Sequence, residues 1–362
     1  MTRFTVDSCV ETTPLGAIQT ALRDPGFGRY FTDHLALATW KRGRGWYNQQ
    51  ITGQLRLPLH PGAAVLQYGQ EIFEGMKAYR HADRSVWLFR PEMNAVRFAR
   101  SAQRMAMPQL PLEHYLDSIN QLVDLDRDWV PEPDGEQSLY IRPFMIASET
   151  LIGVREANEF TYLVIASPVG PYYPDPLKLW VTPNFSRSAV GGTATAKCGG
   201  NYAGSMAGER EVHEQGCSQV LWLDSAERTY VEEGGTMNFL MITADGELVT
   251  PDLQDGTILA GVTRDSLLQL APDHSLKPVE RKITLAELRA GVESGRVTEL
   301  LCCGTAAVVS PVIGLKTPDW QIAVGDGKPG AETMELRDHL TGIQFGRYED
   351  KFGWTHKVER QA

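Results

Sequence analysis

Proline determines where this chain divides. The segment PVGPYYPDP, between Ser167 and Leu177, has four prolines in nine positions. Because proline has a fixed φ and no backbone N–H, this segment cannot continue a helix or lie in a central strand. It separates two strand-like runs, FTYLVIA and LKLWVT. At 362 residues the chain is also too long for one ordinary core. We therefore predict two domains, 1–170 and 179–362, joined by a linker at 171–178.

Helix and strand patterns occur on both sides of this break. Leu116, Ile119 and Val123 have the spacing of one buried helix face. Helices are predicted at about 92–107, 112–129, 202–214, 264–270, 285–292 and 332–345. Strands are predicted at 160–166, 177–182, 219–224, 238–243 and 299–303. Mixed elements in both halves indicate two domains of the α/β type.

Composition excludes several classes of protein. The net charge is −10 and no basic tract is present, which argues against nucleic acid or an anionic membrane as the main partner. The first residues, MTRFTVDSCVETTPLG, lack the apolar core of a signal peptide, and no run has the length of a membrane span. Five cysteines without a C-x-x-C pair are typical of reduced thiols. We expect a soluble cytoplasmic protein, an enzyme, with no bound metal.

Lys197 is the single charged residue between Arg187 and Glu209, in the run SAVGGTATAKCGGNYAGSMAG. Desolvation can lower the pKa of such an amine and make it a nucleophile that condenses with a carbonyl. The small residues around it leave room for a large planar group. The alternative is a glycine-rich loop with one solvated lysine, and this segment alone leaves both interpretations open.

Two acids enter a Gly-Gly turn in VEEGGTMNF, residues 231–239. They could form an ordinary exposed turn. They could also place a carboxylate at the edge of a cofactor, where an anion keeps a pyridine nitrogen protonated.

Three further segments suit an anion. In ILAGVTRDSLLQL the amides of Val262 and Thr263 start a helix, although many such helix starts bind nothing. CGTA, at Thr305, is either a phosphate loop or a glycine bulge in a strand. One of the arginines at 90, 97, 100 and 104 could reach inward to a phosphate, or all could be solvated. Lysine, acid, loops and arginine together match the needs of pyridoxal 5′-phosphate.

At these residues the chain resembles the branched-chain amino-acid aminotransferases of the fold-type IV pyridoxal-phosphate class. The resemblance covers nearly the whole length, and it rests on long, nearly literal motif matches. These are FGRYFTDHL, YGQEIFEGMKAYR, LFRPEMN, LYIRPF, SPVGPYY, KCGGNYAG, CSQVLWLD, EGGTMNF, LAGVTR and CGTA. It implies a two-domain α/β (α+β) fold, with a smaller N-terminal α/β domain and a larger C-terminal domain that resembles a barrel and binds the cofactor. It also implies a homodimer.

The resemblance implies a role for each cofactor-binding residue. Lys197 matches the lysine that holds pyridoxal 5′-phosphate covalently and then moves the substrate proton. Tyr202 matches the tyrosine bonded to the phenolic oxygen of the cofactor. Glu233, five residues before Asn238, matches the acid at the pyridine nitrogen, whereas Glu232 does not have this spacing. The phosphate contacts correspond to Arg97, Val262, Thr263 and Thr305.

The resemblance also implies the reaction and a substrate pocket. The reaction is the transamination of L-leucine, L-isoleucine and L-valine with 2-oxoglutarate, in the biosynthesis or the degradation of these amino acids. The pocket residues would be Phe27, Tyr68, Phe73, Tyr140, Arg142, Tyr172, Thr236 and Ala306. Apolar burial distinguishes one methylene by only about 1–3 kcal/mol, so moderate breadth is expected. Arg142 or Tyr68 would receive the second carboxylate of 2-oxoglutarate.

Other functions remain possible at this point. D-Amino-acid transamination or aminodeoxychorismate lysis would share Lys197 and Glu233. A non-catalytic small-molecule binding protein on the same scaffold is a further alternative. Some relatives carry C-x-x-C as a redox switch after the G-T-A loop, where this chain has Ala307 and Ser310. We expect no such switch, since the adjacent Cys302 and Cys303 point to opposite faces of a strand.

Overall fold

A computed structural model describes residues 4–7, 9–54, 56–133 and 135–360. Residues 1–3 and 8, in the stretch that bears on a signal peptide, lie outside the described residues, as do 55, 134, 361 and 362. The described chain forms eight α-helices: α1 Leu15–Arg23, α2 Ala64–Tyr68, α3 Pro91–Arg104, α4 Leu112–Leu125, α5 Gly199–Glu214, α6 Val262–Leu270, α7 Leu285–Ser294 and α8 Ala331–Gln344.

Every helix predicted from the sequence is present. The predicted helix 112–129 is α4 followed by a short 3₁₀ helix, Arg127–Trp129, and α5 begins three residues earlier than expected. Pro91 occupies the first turn of α3, where its missing N–H removes no helical bond. No helix in the described residues is both long and apolar enough to cross a membrane.

The first unit contains a nine-stranded sheet. Its strands are β1 Thr5–Val6, β2 His34–Lys41, β3 Gly45–Gly53, β4 Glu71–Phe73, β5 Met76–Arg80, β6 Val86–Phe89, β7 Ser138–Ala147, β8 Glu159–Val169 and β18 Thr355–Lys357. They pair in the order β1-β3-β2-β8-β7-β5-β6-β18, and β4 adds to β7. Phe98 of α3 and Ile119 of α4 belong to the same buried core as the strand residues Ile72 and Ile141.

The second unit contains a closed barrel. Its strands are β9 Leu177–Val181, β10 Gln219–Leu223, β11 Val231–Gly234, β12 Met237–Thr243, β13 Glu247–Thr250, β14 Lys277–Glu280, β15 Val297–Gly304, β16 Val308–Lys316 and β17 Gln321–Ala323. Six of them follow the order β11-β10-β9-β16-β15-β12, and β12 pairs back with β11. Closure leaves these six strands without a free edge. Leu179, Leu221, Phe239 and Cys302 lie in its buried core.

The division of the chain differs from the predicted one in three places. Pro168 is the penultimate residue of β8, where its missing N–H removes at most one bond near the end of the ladder. The predicted linker 171–178 overlaps the start of β9 at Leu177. The first unit comprises 1–172, 196–199 and 342–362, and the second comprises 173–195 and 200–341. The first unit therefore holds more residues than the second, whereas the resemblance implied the reverse.

Candidate active site

Lys197 lies in a short segment whose backbone is held by the first unit on both sides. Its N–H donates to Ser101 Oγ at 2.9 Å, and its carbonyl accepts from the N–H of Phe73 at 2.9 Å. Two residues later the N–H of Gly199 donates to the carboxylate of Glu71. A Cβ on Gly199 would overlap this carboxylate, so the close approach requires glycine. The backbone of Lys197 is thereby fixed, and its Nζ lies 4.8 Å from the centre of the Phe73 ring.

Arg97 forms a buried ion pair in the same unit. Its Nε and Nη2 donate to the two oxygens of Glu74, at 2.7 and 2.9 Å. Burial alone would raise the pKa of Glu74, but Arg97, the Lys197 ammonium and Asn94 outweigh it and hold this pKa below its ordinary value. Sequence reasoning identified the arginine of this pair and missed the acid.

Five of the expected substrate residues form one connected group in the first unit. The Phe27 ring contacts Tyr140 and Tyr172, with centroids 5.1 and 4.9 Å apart. The Arg142 guanidinium lies 4.7 Å from the centre of the Phe73 ring, and its Nη2 donates to Tyr140 Oη at 3.0 Å. Arg142 Nε is buried and has no hydrogen-bond partner among the described residues. The group therefore offers aromatic surface and one incompletely bonded cation.

Tyr68 is placed differently from these aromatic residues. It ends α2, remains half exposed, and its hydroxyl donates to the carbonyl of Ile152. In the part of the chain that the structure describes, no ring contact joins Tyr68 to Phe27, Tyr140 or Tyr172.

A cavity of about 180 Å³ adjoins Phe27, Tyr140 and Arg142. Ile165 and Ser167 also line it, because the register of β7 and β8 places them opposite Arg142 and Tyr140. Sequence reasoning missed both residues. The alternation of β8 could have indicated them, but only with the register known.

Glu233 and Glu232 are both buried in the second unit, and strand alternation directs them to opposite faces of β11. Glu233 forms an ion pair with Arg187 and accepts a bond from Asn238 Nδ2 at 3.3 Å. Glu233, Tyr202, Thr236 and Arg187 line one small pocket. The structure thus brings together three residues expected from the sequence, and it adds Arg187, which the sequence marked only as the neighbouring charge.

Glu232 has a different environment. Ser188 Oγ donates to it at 3.2 Å. Burial raises the pKa of Glu232, and bonds from Thr257 and Ser188 and the charge of Arg187 oppose that shift only in part.

The expected phosphate loops lie at one end of the barrel. Asn238 Nδ2 donates to Leu259 O at 2.9 Å, and a Cβ on Gly261 would overlap the Asn238 amide. Gly261 precedes α6, and no described side chain caps the amides at its start, where Val262 and Thr263 lie. Asn238 also pairs with Cys303, which places the Thr305–Ala306 turn between β15 and β16 at the same end.

The donor set fits a phosphorylated pyridine aldehyde. In the first unit Lys197 supplies an amine. In the second unit Glu233 supplies a buried acceptor for a ring N–H, and the uncapped start of α6 supplies backbone donors of the kind that bind phosphate. The glycine before α6 leaves room for the Asn238 amide.

Two cysteines lie just before the G-T-A loop, the region in which a redox switch was considered. Cys302 and Cys303 are fully buried in β15, and burial raises the pKa of Cys303 to about 12. Serine, at Ser310, pairs with Cys302 across the ladder. The absence of a redox switch stays a prediction.

One group of possible metal ligands occurs among the described residues. Ligand atoms of His274, Glu332 and Glu335 lie within 4.8 Å of one another, and the acids are partly or fully exposed. Exposed acids of this kind are common without an ion. The expectation that the protein needs no metal also stays a prediction.

Comparison with known proteins agrees with this arrangement. Residues 71–314 match the family "Amino-transferase class IV". The chain is 47% identical over 361 residues to a branched-chain-amino-acid aminotransferase of Mycolicibacterium smegmatis, which covers 98% of both proteins. It is 43% identical to branched-chain-amino-acid transaminase 1 of Bacillus subtilis, with 92% of this chain and 94% of the relative covered.

Solved structures of similar proteins have the same fold. An Escherichia coli branched-chain amino acid aminotransferase matches with a TM-score of 0.74 at 24% identity, covering 90% of this chain and 100% of the other. A T.th. branched-chain amino acid aminotransferase complexed with N-(5′-phosphopyridoxyl)-L-glutamate matches with a TM-score of 0.71 at 26% identity, covering 90% and 99%. The mixed α/β fold expected from the sequence is confirmed. The chain is an aminotransferase of class IV and belongs to the branched-chain-amino-acid aminotransferase family.

Proposed function

We propose that this protein transfers the amino group of L-leucine, L-isoleucine or L-valine to 2-oxoglutarate, with pyridoxal 5′-phosphate as its cofactor. The observation that carries the proposal is Lys197, a lysine with a fixed backbone in a charge-free segment. Relatives at 43–47% identity named as branched-chain aminotransferases support the substrate class. A similar solved protein carries a phosphopyridoxyl-glutamate adduct, which supports the cofactor and the glutamate pair.

Pyridoxal 5′-phosphate, when bound, supplies an aldehyde that condenses with amines and a ring that withdraws electrons from the substrate Cα. Lys197 would hold that aldehyde through Nζ. Once the incoming amino acid has freed it, Nζ would act as the general base that removes the proton from the substrate Cα and as the general acid that returns it. The fixed backbone of Lys197 limits this motion to the side chain.

Glu233 accepts the ring N–H and keeps that proton in place by its negative charge. Arg187 and Asn238 orient its carboxylate. Tyr202 donates its hydroxyl to the phenolic oxygen. Arg97, the amides of Val262 and Thr263, and Thr305 bind the phosphate, which combines a charged fork with the start of a helix.

The side chain of the substrate is bound by the aromatic group of the first unit. Phe27, Phe73, Tyr140 and Tyr172 offer apolar surface to a branched aliphatic chain. Arg142, with its buried Nε unbonded, receives the second carboxylate of 2-oxoglutarate, and Tyr68 is the other candidate. Thr236 and Ala306 complete the set of substrate residues that we propose.

We also infer a cytoplasmic homodimer. Exposed apolar side chains of the first unit, including Phe31, Ile152 and Val154, support an interface between copies. Five thiols without a disulfide among the described residues are consistent with a reducing compartment.

An absorbance experiment tests the proposed function. The purified protein should show a visible band of the lysine-bound cofactor, which L-leucine removes and 2-oxoglutarate restores. Lys197→Ala should lack this band. D-Alanine and aminodeoxychorismate serve as competing substrates. A faster reaction with either would contradict the proposal, and the absence of any band would favour a non-catalytic binding protein.

A further inference from the structure

We propose that Glu74 is a positioning residue that holds the Arg97 guanidinium ready for the phosphate of the cofactor. The inference rests on the proposed function, because it takes Arg97 as a phosphate ligand. The Glu74 carboxylate orients the Arg97 guanidinium before the phosphate binds.

The carboxylate of Glu74 is completely bonded inside the protein. Its side chain is 0% exposed. Besides the two bonds from Arg97, it accepts a bond from Asn94 Nδ2 at 2.8 Å and one from the N–H of Gly75 at 3.2 Å. With four donors on two oxygens, this carboxylate has one orientation. The bidentate pair transfers that orientation to the plane of the guanidinium.

The residues that bond Glu74 and Arg97 are close in the chain to those that bond Lys197. Asn94, Arg97 and Ser101 lie on one face of α3, at the spacing i, i+3 and i+7. Ser101 accepts the N–H of Lys197, and Phe73, the residue before Glu74, donates its N–H to the Lys197 carbonyl. The Glu74–Arg97 pair therefore sets the guanidinium relative to the backbone that carries Lys197.

A fixed guanidinium has a consequence for binding. Arginine has many rotamers, and restricting them in advance removes an entropy cost from phosphate binding. Glu74 also compensates the charge of Arg97, which a buried site would otherwise tolerate poorly. Arg97 donates to Glu74 through Nε and Nη2. The other N–H groups of the guanidinium are therefore the ones that we propose for the phosphate.

The test compares two ligands that differ only by the phosphate. Cofactor-free full-length enzyme is titrated with pyridoxal 5′-phosphate and with pyridoxal, and binding is followed by absorbance. Glu74→Gln should weaken pyridoxal 5′-phosphate binding about 10-fold or more, the range for residues that orient a ligand group. Its affinity for pyridoxal should change less than about twofold.

Asp126→Asn is the matched control. Asp126 is another buried carboxylate of the first unit, and it pairs with His34 Nδ1 at 2.6 Å. Its removal should leave the ratio of the two affinities unchanged. An equal loss of both ligands in Glu74→Gln would show a merely structural role and overturn the inference.

A double variant tests whether Glu74 acts through Arg97. In an Arg97→Met background, Glu74→Gln should cause no further loss of pyridoxal 5′-phosphate affinity. A full additional loss would overturn the inference. If Glu74→Gln is insoluble, Glu74→Asp, which keeps the charge but shortens the reach, should show a smaller loss with the same selectivity for the phosphate. An unselective loss would again contradict it. Failure of the wild-type protein to respond to L-leucine would instead count against the proposed function.

Discussion

At the scale of single residues, Glu232 and Glu233 differ in their partners although they are adjacent in the chain. Both are buried. Glu233 has the charge of Arg187 and the amide of Asn238 beside it, whereas Glu232 is bonded by Ser188. Alternation along β11 separates their faces, so the two carboxylates cannot replace each other.

This difference predicts unequal effects of the same chemical change. Glu233→Gln removes the anion that we propose at the ring nitrogen, and kcat for L-leucine should fall by about 10²–10³-fold, as for other removals of a charge-stabilising group. Glu232→Gln, a neighbouring buried position, should keep kcat within about threefold. Steady-state kinetics at saturating cofactor measure both.

Absorbance should show that each variant binds the cofactor. A lower kcat then reflects a slower reaction and not a loss of cofactor. Equal effects of the two variants would contradict the assignment of Glu233.

At the scale of elements, two of the four glycines of α5 lie in opposite environments. Gly204 is exposed, and a Cβ there would meet no atom within 4 Å. Gly208 is buried, and a Cβ there would lie 2.5 Å from the Trp222 ring. Trp222 is held in turn by its Nε1–H, which donates to Gly235 O at 2.8 Å, in the turn after Glu233.

Alanine should therefore have opposite effects at these two positions. Gly204→Ala should raise the free energy of unfolding by about 1 kcal/mol, because alanine is the better helix former. Gly208→Ala should lower it by about 1–3 kcal/mol through overpacking against Trp222. Chemical denaturation followed by circular dichroism measures both. If Gly208→Ala raised the free energy of unfolding, the Trp222 ring would have moved aside without cost, and the prediction would be wrong.

Most helices and several strands were predictable from the sequence, whereas some side chains that line the cavity or pair with a site residue were not. Periodic apolar residues identified α4, and compact apolar runs identified β12 and β15, because burial of one face imposes a pattern on local sequence. Ile165 and Ser167 were missed, since they reach the cavity only through the register between β7 and β8. Glu74 was missed because nothing local in FEGM shows which arginine it will meet.

At the scale of the whole molecule, stability should depend on the protonation of Glu209. This side chain is partly buried in the second unit, and its Oε1 has no hydrogen-bond partner among the described residues. Burial raises the pKa of Glu209 to about 7. Between the ordinary carboxyl pKa and about 7, the folded protein therefore binds a proton that the unfolded chain has lost.

Folding stability should accordingly fall as pH rises through that interval. Glu209→Gln removes this dependence, so its melting temperature should exceed that of the wild type increasingly from pH 5 to pH 8. Glu214→Gln, an exposed position on the same helix, is the control for replacing a carboxylate by an amide. Thermal melts across this pH range are the measurement, and a pH-independent Glu209→Gln difference would contradict the prediction.

By itself the sequence indicated six of the helices, several strands, a proline-rich segment near the boundary of the two units and a lysine without neighbouring charges. These features have local causes. Proline restricts the backbone, apolar residues recur at the period of a helix or strand, and the lysine has no charged neighbours in the chain. Only the tertiary structure decided that residues 196–199 and 342–362 belong with the first unit, that Glu74 pairs with Arg97, and that Arg187 pairs with Glu233. Ion pairs and strand registers join residues far apart in the chain, and the free energy that selects each partner comes from burial that no local segment contains.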